Sequence, residues 1–240
     1  MKRLHVRAAI AWAMMLALAW TAAGQSDRAD KSKAPATPGV VTADRGKFRL
    51  MSDGQNVGTQ EFSVAPSGEE WISRGSLEIK APSGDATEVS AELRLTADGR
   101  PLGYKWTSQG AKKTSGTIVF DGTSAVMEVR VDSGDPFTQE FQFDTPKVVI
   151  LDNNFYHHYG LLARLYDWNA KGAQTFAVLI PQDLATGRVT VEWGGPQEFD
   201  GIKAELLRVK SSDLEIELYL SGGKLVRVAV PVSKADIRRE

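Results

Sequence analysis

Three residues in this chain have side chains suited to moving a proton near neutral pH and lie close together in sequence. They are Asp152, His157 and His158, within DNNFYHHYGLLARLYDW at residues 152–168. An imidazole titrates near neutrality, so it suits general acid or base work wherever a pocket surrounds it. On helical spacing His158 falls on the apolar edge of the segment beside Leu165, facing inward, where it could serve a hydrolase or isomerase with Asp152 or Tyr159. The simpler reading is a core histidine satisfied by a backbone carbonyl or by Asn153, so no catalytic residue is assigned. His157 aligns with Arg164 on the other side and is expected in solvent. Neighbouring residues diverge by about 100° on a helix and about 180° on a strand, so the two rings cannot share one ion without a third ligand such as Asp152. No metal and no cofactor is expected.

Other chemistries lack their residues. There is no cysteine, which removes thiol nucleophiles and thiolate metal sites. No GxSxG elbow occurs, and the Ser-Gly pairs that begin at Ser67, Ser83, Ser115, Ser133 and Ser221 sit where turns are expected. Gly222, Gly223 and Lys224 lack the upstream glycine of a phosphate-cradling loop. Glu215 and Glu217 share a strand face opposite Leu214, Ile216 and Leu218, the pattern of a solvated outer surface.

The same segment supplies the candidate ligand walls. Phe155, Tyr159, Leu162 and Tyr166 recur at i, i+4, i+7 and i+11, an apolar stripe with His158 at its edge. Asp152, Asn153 and Asn154 offer side-chain oxygens to the first amides, and residues 169–172 offer a C-cap, so the spacing predicts a helix over 153–168. A helix so aromatic on one side must press that side on a neighbour. Nearly everything else in the chain alternates with a period of two.

Residues 87–95 show that alternation plainly: Val89, Ala91, Leu93 and Leu95 point one way, and Glu88, Ser90, Glu92 and Arg94 the other. One wet and one dry face favours antiparallel pairing. Roughly a dozen such runs, with turn signals every eight to twelve residues, predict an all-β fold with one main helix. Its sheet is expected to be strongly curved and antiparallel, an incomplete barrel or β-sandwich packed around the helix.

The chain's ends read differently. Lys2, Arg3 and Arg7 precede an apolar run and then TAAG, the layout of a cleaved secretory signal over residues 1–24, which implies a periplasmic or extracellular destination. Residues 25–44 have the composition of a disordered linker. A single β domain is expected over 45–233, and 234–240 reads as a charged tail. Without Lys2, Arg3 and Arg7 the 29 basic residues become 26 against 30 acidic ones, a formal charge of −4. That balance, with no basic cluster among aromatics, argues against nucleic acid, and no stretch after the signal is long and apolar enough to span a membrane.

Four stretches carry a resemblance: GKFRLMSDGQNVGTQEF at 46–62, LTADGRPLGY at 95–104, LDNNFYHHYGLL at 151–162 and VLIPQ at 178–182. Together they resemble a family of exported bacterial β-proteins known mainly as a domain of unknown function. The resemblance implies an architecture similar to the periplasmic lipoprotein carriers, in which a curved antiparallel sheet wraps helices around a cavity for acyl chains. Its motifs are turn and strand patterns, so no catalytic residue follows from it. The expectation is non-enzymatic binding of a lipid or other amphipathic molecule between sheet and helix. The alternatives are a hydrolase or isomerase using His158, and a closed-core structural or interaction domain.

Overall fold

The structure, a computed structural model, describes residues 39–80, 86–110, 112–212 and 214–240. The expected signal peptide and most of the expected linker lie outside these residues. Fifteen strands form one sheet among the described residues. In chain order they are β1 (Asp44–Ser52), β2 (Gln55–Ser67), β3 (Glu70–Lys80), β4 (Ala86–Leu95), β5 (Pro101–Gln109), β6 (Thr114–Asp121), β7 (Ser124–Val131), β8 (Phe137–Gln142) and β9 (Val148–Ile150). The helix α1 (His157–Leu165) follows, then β10 (Gln174–Ile180), β11 (Ala185–Phe199), β12 (Ile202–Lys210), β13 (Glu215–Ser221), β14 (Lys224–Val230) and β15 (Ala235–Arg239).

The spatial order is β8 through β1, then β15 back through β9. Two antiparallel meanders are therefore joined where β1 pairs with β15, and the sheet curves strongly without closing, with β8 and β9 at its edges. The pairing of β9 with β10 is parallel. Parallel neighbours need a crossover, and the chain uses that crossover to place α1 inside the curve. In this way, among the described residues, the single α-helix and the single parallel pair have a common cause.

Alternation sets the faces as expected. In β4 Val89, Ala91, Leu93 and Leu95 are buried while Glu88, Ser90 and Arg94 are exposed. Inward residues of both meanders, among them Phe48, Leu77, Ile118, Leu207, Leu218 and Val228, form one core with Phe155 and Leu162. Helix α1 packs on β14 and β9. No helix among the described residues is long and apolar enough to cross a membrane.

Four boundaries differ from expectation. The helix begins at His157 and not at 153, with Tyr156 as N-cap and no side-chain capping bond. Asp152 instead accepts from the Asn154 amide at 2.7 Å in a local turn, and its other oxygen is drawn to the sheet. The helix ends at Leu165, where Tyr166 turns extended, and not within 169–172. The expected tail is a strand: β15 lies between β1 and β14 with Ile237 buried at its centre. Likewise, the linker stops short of 44, since Val40 and Val41 both donate to the Ala97 carbonyl, at 2.8 and 3.2 Å, and Asp44 opens β1.

Candidate functional site

The first turn of α1 carries a sealed polar cluster. Gln60 on β2 and Ser73 on β3 are polar residues at inward positions, and both reach His157. The ring is 3% exposed and stacks on Phe62 at 5.0 Å with 14° between planes, so the expectation of a solvated His157 is overturned. The helix fills a hollow and is covered on both sides; even Arg164 is only 15% exposed. Gly75 makes the fit possible, because a Cβ there would stand 2.6 Å from the Phe155 ring and 2.8 Å from His157 Cε1.

Hydrogen bonding fixes the proton on His157. The Tyr156 backbone amide donates to Gln60 Oε1 at 3.0 Å, so the amide nitrogen of Gln60 is the atom that faces Nδ1 and donates to it. Nδ1 is then an acceptor, and the neutral ring carries its hydrogen on Nε2, which donates to Ser73 Oγ at 2.9 Å. Burial and the neighbouring His158 hold the pKa of His157 well below the ordinary value, so the ring stays neutral. A serine nucleophile needs the reverse arrangement, with Nε2 free to accept the hydroxyl proton. Ser73, His157 and Gln60 therefore look like a triad in spacing but have the wrong tautomer.

Asp152 and His158 both border Tyr104. Asp152 accepts from the Tyr104 hydroxyl and from the Gln182 amide, which with the Asn154 amide occupies its oxygens. Burial, then the adjacent Asp152, push the Tyr104 hydroxyl well above its usual range. His158 is 1% exposed, its ring edge-on to Tyr104 at 5.8 Å, and burial lowers its pKa to about 4 despite Asp152 and the Ile150 carbonyl. Among the described residues its Nδ1 has no hydrogen-bond partner. With exposures of 0 to 3% across Gln60, Ser73, Tyr104, Asp152, His157 and His158, a substrate has no approach to these groups.

The expected ligand walls are packed core. Phe155 and Leu162 are 0% exposed, Tyr166 sits at the far end with its hydroxyl on the Gly172 carbonyl at 3.0 Å, and Tyr159 is half-buried. A void lies instead along the opposite edge of α1. Leu161, Arg164 and Leu165 face Leu93 and Leu95 of β4 and the β9 residues across an apolar slot of about 20 Å³, with Val40, Val41 and Gly99 completing the lining. Broader recesses, such as one of about 440 Å³ bordered by Arg74, Glu92, Lys105 and Arg130, lie among the outward side chains of β3 to β7. Among the described residues no group of three or more His, Cys, Asp or Glu is placed to hold a metal ion.

Arg164, which lines the slot, belongs to an ionic triad. Asp44 pairs with Arg239 at 2.7 Å and with Arg164 at 3.4 Å, and its side chain is 8% exposed. Burial opposes ionisation of Asp44, but the two guanidinium groups outweigh it and hold the carboxyl below its ordinary range. Spacing along the chain missed Gln60, Ser73, Tyr104, Gln182, Asp44 and Arg239. For Gln60 and Ser73 the available signal was a polar residue at an inward position of an alternating strand.

No protein-family profile matches this chain, and no curated protein matches it. Solved structures resemble it, among them two proteins of unknown function. A β-barrel-like protein of the domain of unknown function DUF1849 from Brucella abortus superposes with a TM-score of 0.57 at 10% identity, covering 83% of this chain and 95% of its own. A DUF1089 family protein from Pseudomonas aeruginosa gives a TM-score of 0.44 at 12% identity, over 70% of this chain and 87% of its own. The first likeness shows a shared β-barrel-like fold, and at that identity it extends to the fold alone.

Proposed function

We propose that this chain is an exported, non-enzymatic protein of the bacterial cell envelope that binds a long-chain apolar or amphipathic molecule along α1. The reading rests on one observation: the slot between α1, β4 and β9 is walled in part by two valines whose amides share a single acceptor, Ala97. The lipoprotein-carrier architecture implied by the sequence resemblance and the signal-like residues 1–24 support the same reading. The expected pocket at Phe155, His158, Tyr159, Leu162 and Tyr166 gives way to the edge formed by Leu161, Arg164 and Leu165.

Magnitudes set the ligand's length. Exposing Val41 and half of Val40 costs about 3 kcal/mol, and losing two amide bonds about 2 kcal/mol more. Association itself costs at least about 4 kcal/mol. At about 0.8 kcal/mol per buried methylene, roughly a dozen carbons only balance these costs, so a twelve-carbon ligand binds measurably only where a head-group contact adds to the chain. Shorter chains leave the slot shut.

The tautomer at His157 and the sealed cluster argue against the hydrolase reading. A closed-core interaction domain is the second reading, favoured by the slot's volume, which has room for about one water. Mass spectrometry of organic extracts from protein purified without detergent separates the two: the proposal predicts a stoichiometric long-chain molecule. Extracts free of one, with no uptake of added dodecanol or dodecanoate, would leave the closed-core reading standing.

A further inference from the structure

We infer that the ligand of this slot is a long-chain monocarboxylate whose head group is held by Arg164; the inference rests on the reading above and adds the head group. The triad that includes Arg164 places two guanidinium groups against one carboxylate, so one positive charge has no counter-ion within it. The two arginines are not equally served. Arg239 bonds Asp44 through both terminal nitrogens, at 2.7 and 3.2 Å, reaches the Arg45 and Leu225 carbonyls, and stands over the Phe62 ring at 5.3 Å. Among the described residues Arg164 makes a single long bond, 3.4 Å to Asp44 Oδ2.

The under-served cation is also the one that lines the slot, one helical turn from Leu161 and next to Leu165. A guanidinium fork matches a carboxylate in plane with two parallel bonds, and a single excess charge matches a monoanion. A chain laid against Leu93, Leu95, Leu161 and Leu165 would bring its head to Arg164, leaving Asp44 to Arg239. Val40 and Val41 precede Asp44 by only a few residues, so displacing them loosens the approach to Arg164 without breaking the Asp44 to Arg239 pair.

Titration calorimetry of the full chain with dodecanoate and with dodecanol, below their micelle or solubility limits, tests this. The expected result is at least tenfold tighter binding of dodecanoate, with Arg164→Gln reducing it to the level of the alcohol and Arg164→Lys keeping part of the preference. Circular dichroism establishes that each variant is folded. Equal affinity for acid and alcohol, or an acid preference that survives Arg164→Gln, would overturn the head-group inference and leave the slot intact. Binding of neither ligand would overturn the slot reading and the inference with it.

Discussion

Ser73 Oγ and His157 Nε2 lie 2.9 Å apart, and the proton between them belongs to the ring. That single assignment separates a structural tie from a catalytic pair, because Gln60 donates to the other ring nitrogen. A fluorophosphonate probe should therefore leave Ser73 unlabelled over hours at neutral pH, as read by intact mass. Ser73→Ala should cost about 1 to 2 kcal/mol of stability through the lost buried bond. An adduct on Ser73 would contradict the tautomer.

Acid should weaken the fold in a defined window. His158 has a folded pKa of about 4 against about 6.5 unfolded, so between these values the unfolded chain binds more protons and stability falls as pH falls. His157, lowered by burial, acts in the same direction. Carboxylates held low, such as Asp44 and Asp236, lose their contribution only below this window. Urea unfolding at pH 7 and pH 4.5 should differ by at least about 2 kcal/mol. A flat profile would mean the rings are hydrated.

Gly75→Ala should be far more damaging than an ordinary glycine replacement in a strand. The new methyl would meet the Phe155 and His157 rings at 2.6 and 2.8 Å and lift the first turn of α1 from the sheet. Overpacking of this kind costs about 1 to 3 kcal/mol, or several degrees in Tm for a chain this long. At Gly187 the same methyl meets only Val178 at 3.9 Å, so Gly187→Ala should leave Tm nearly unchanged.

The end of the chain should prove indispensable. Deleting 235–240 removes β15 from between β1 and β14 and leaves Asp44 without its shorter ion pair. Loss of the cooperative thermal transition is expected, and Arg239→Ala alone should cost about 2 kcal/mol, discounted for partial exposure. A deletion variant with native Tm would restore the tail reading.

The fold was largely legible and the site was not, for reasons visible in particular residues. The alternation from Val89 to Leu95 needs only local sequence, and the structure follows it. The helix start was misplaced because Asp152 uses one oxygen on the Asn154 amide in a local turn and the other on Tyr104 and Gln182, which lie 48 and 30 residues away, so the chain stays non-helical until His157. His157 was placed in solvent because a helical wheel shows an open side only if the hollow leaves one open. β15 escaped notice because a five-residue strand with one buried apolar residue, Ile237, has no periodicity to detect. The slot depends on how closely α1 approaches β4 and β9, a distance set by packing across the whole curve.

The account depends on the two valines at 40 and 41 being a displaceable wall. Hydrogen exchange at their amides, followed with and without dodecanoate, tests this most directly. The account predicts faster exchange at Val40 and Val41 with ligand present, as their bonds to Ala97 break, together with slower exchange in α1 around Leu161 and Leu165. Ligand binding that leaves both regions unchanged would place the molecule elsewhere and contradict the slot.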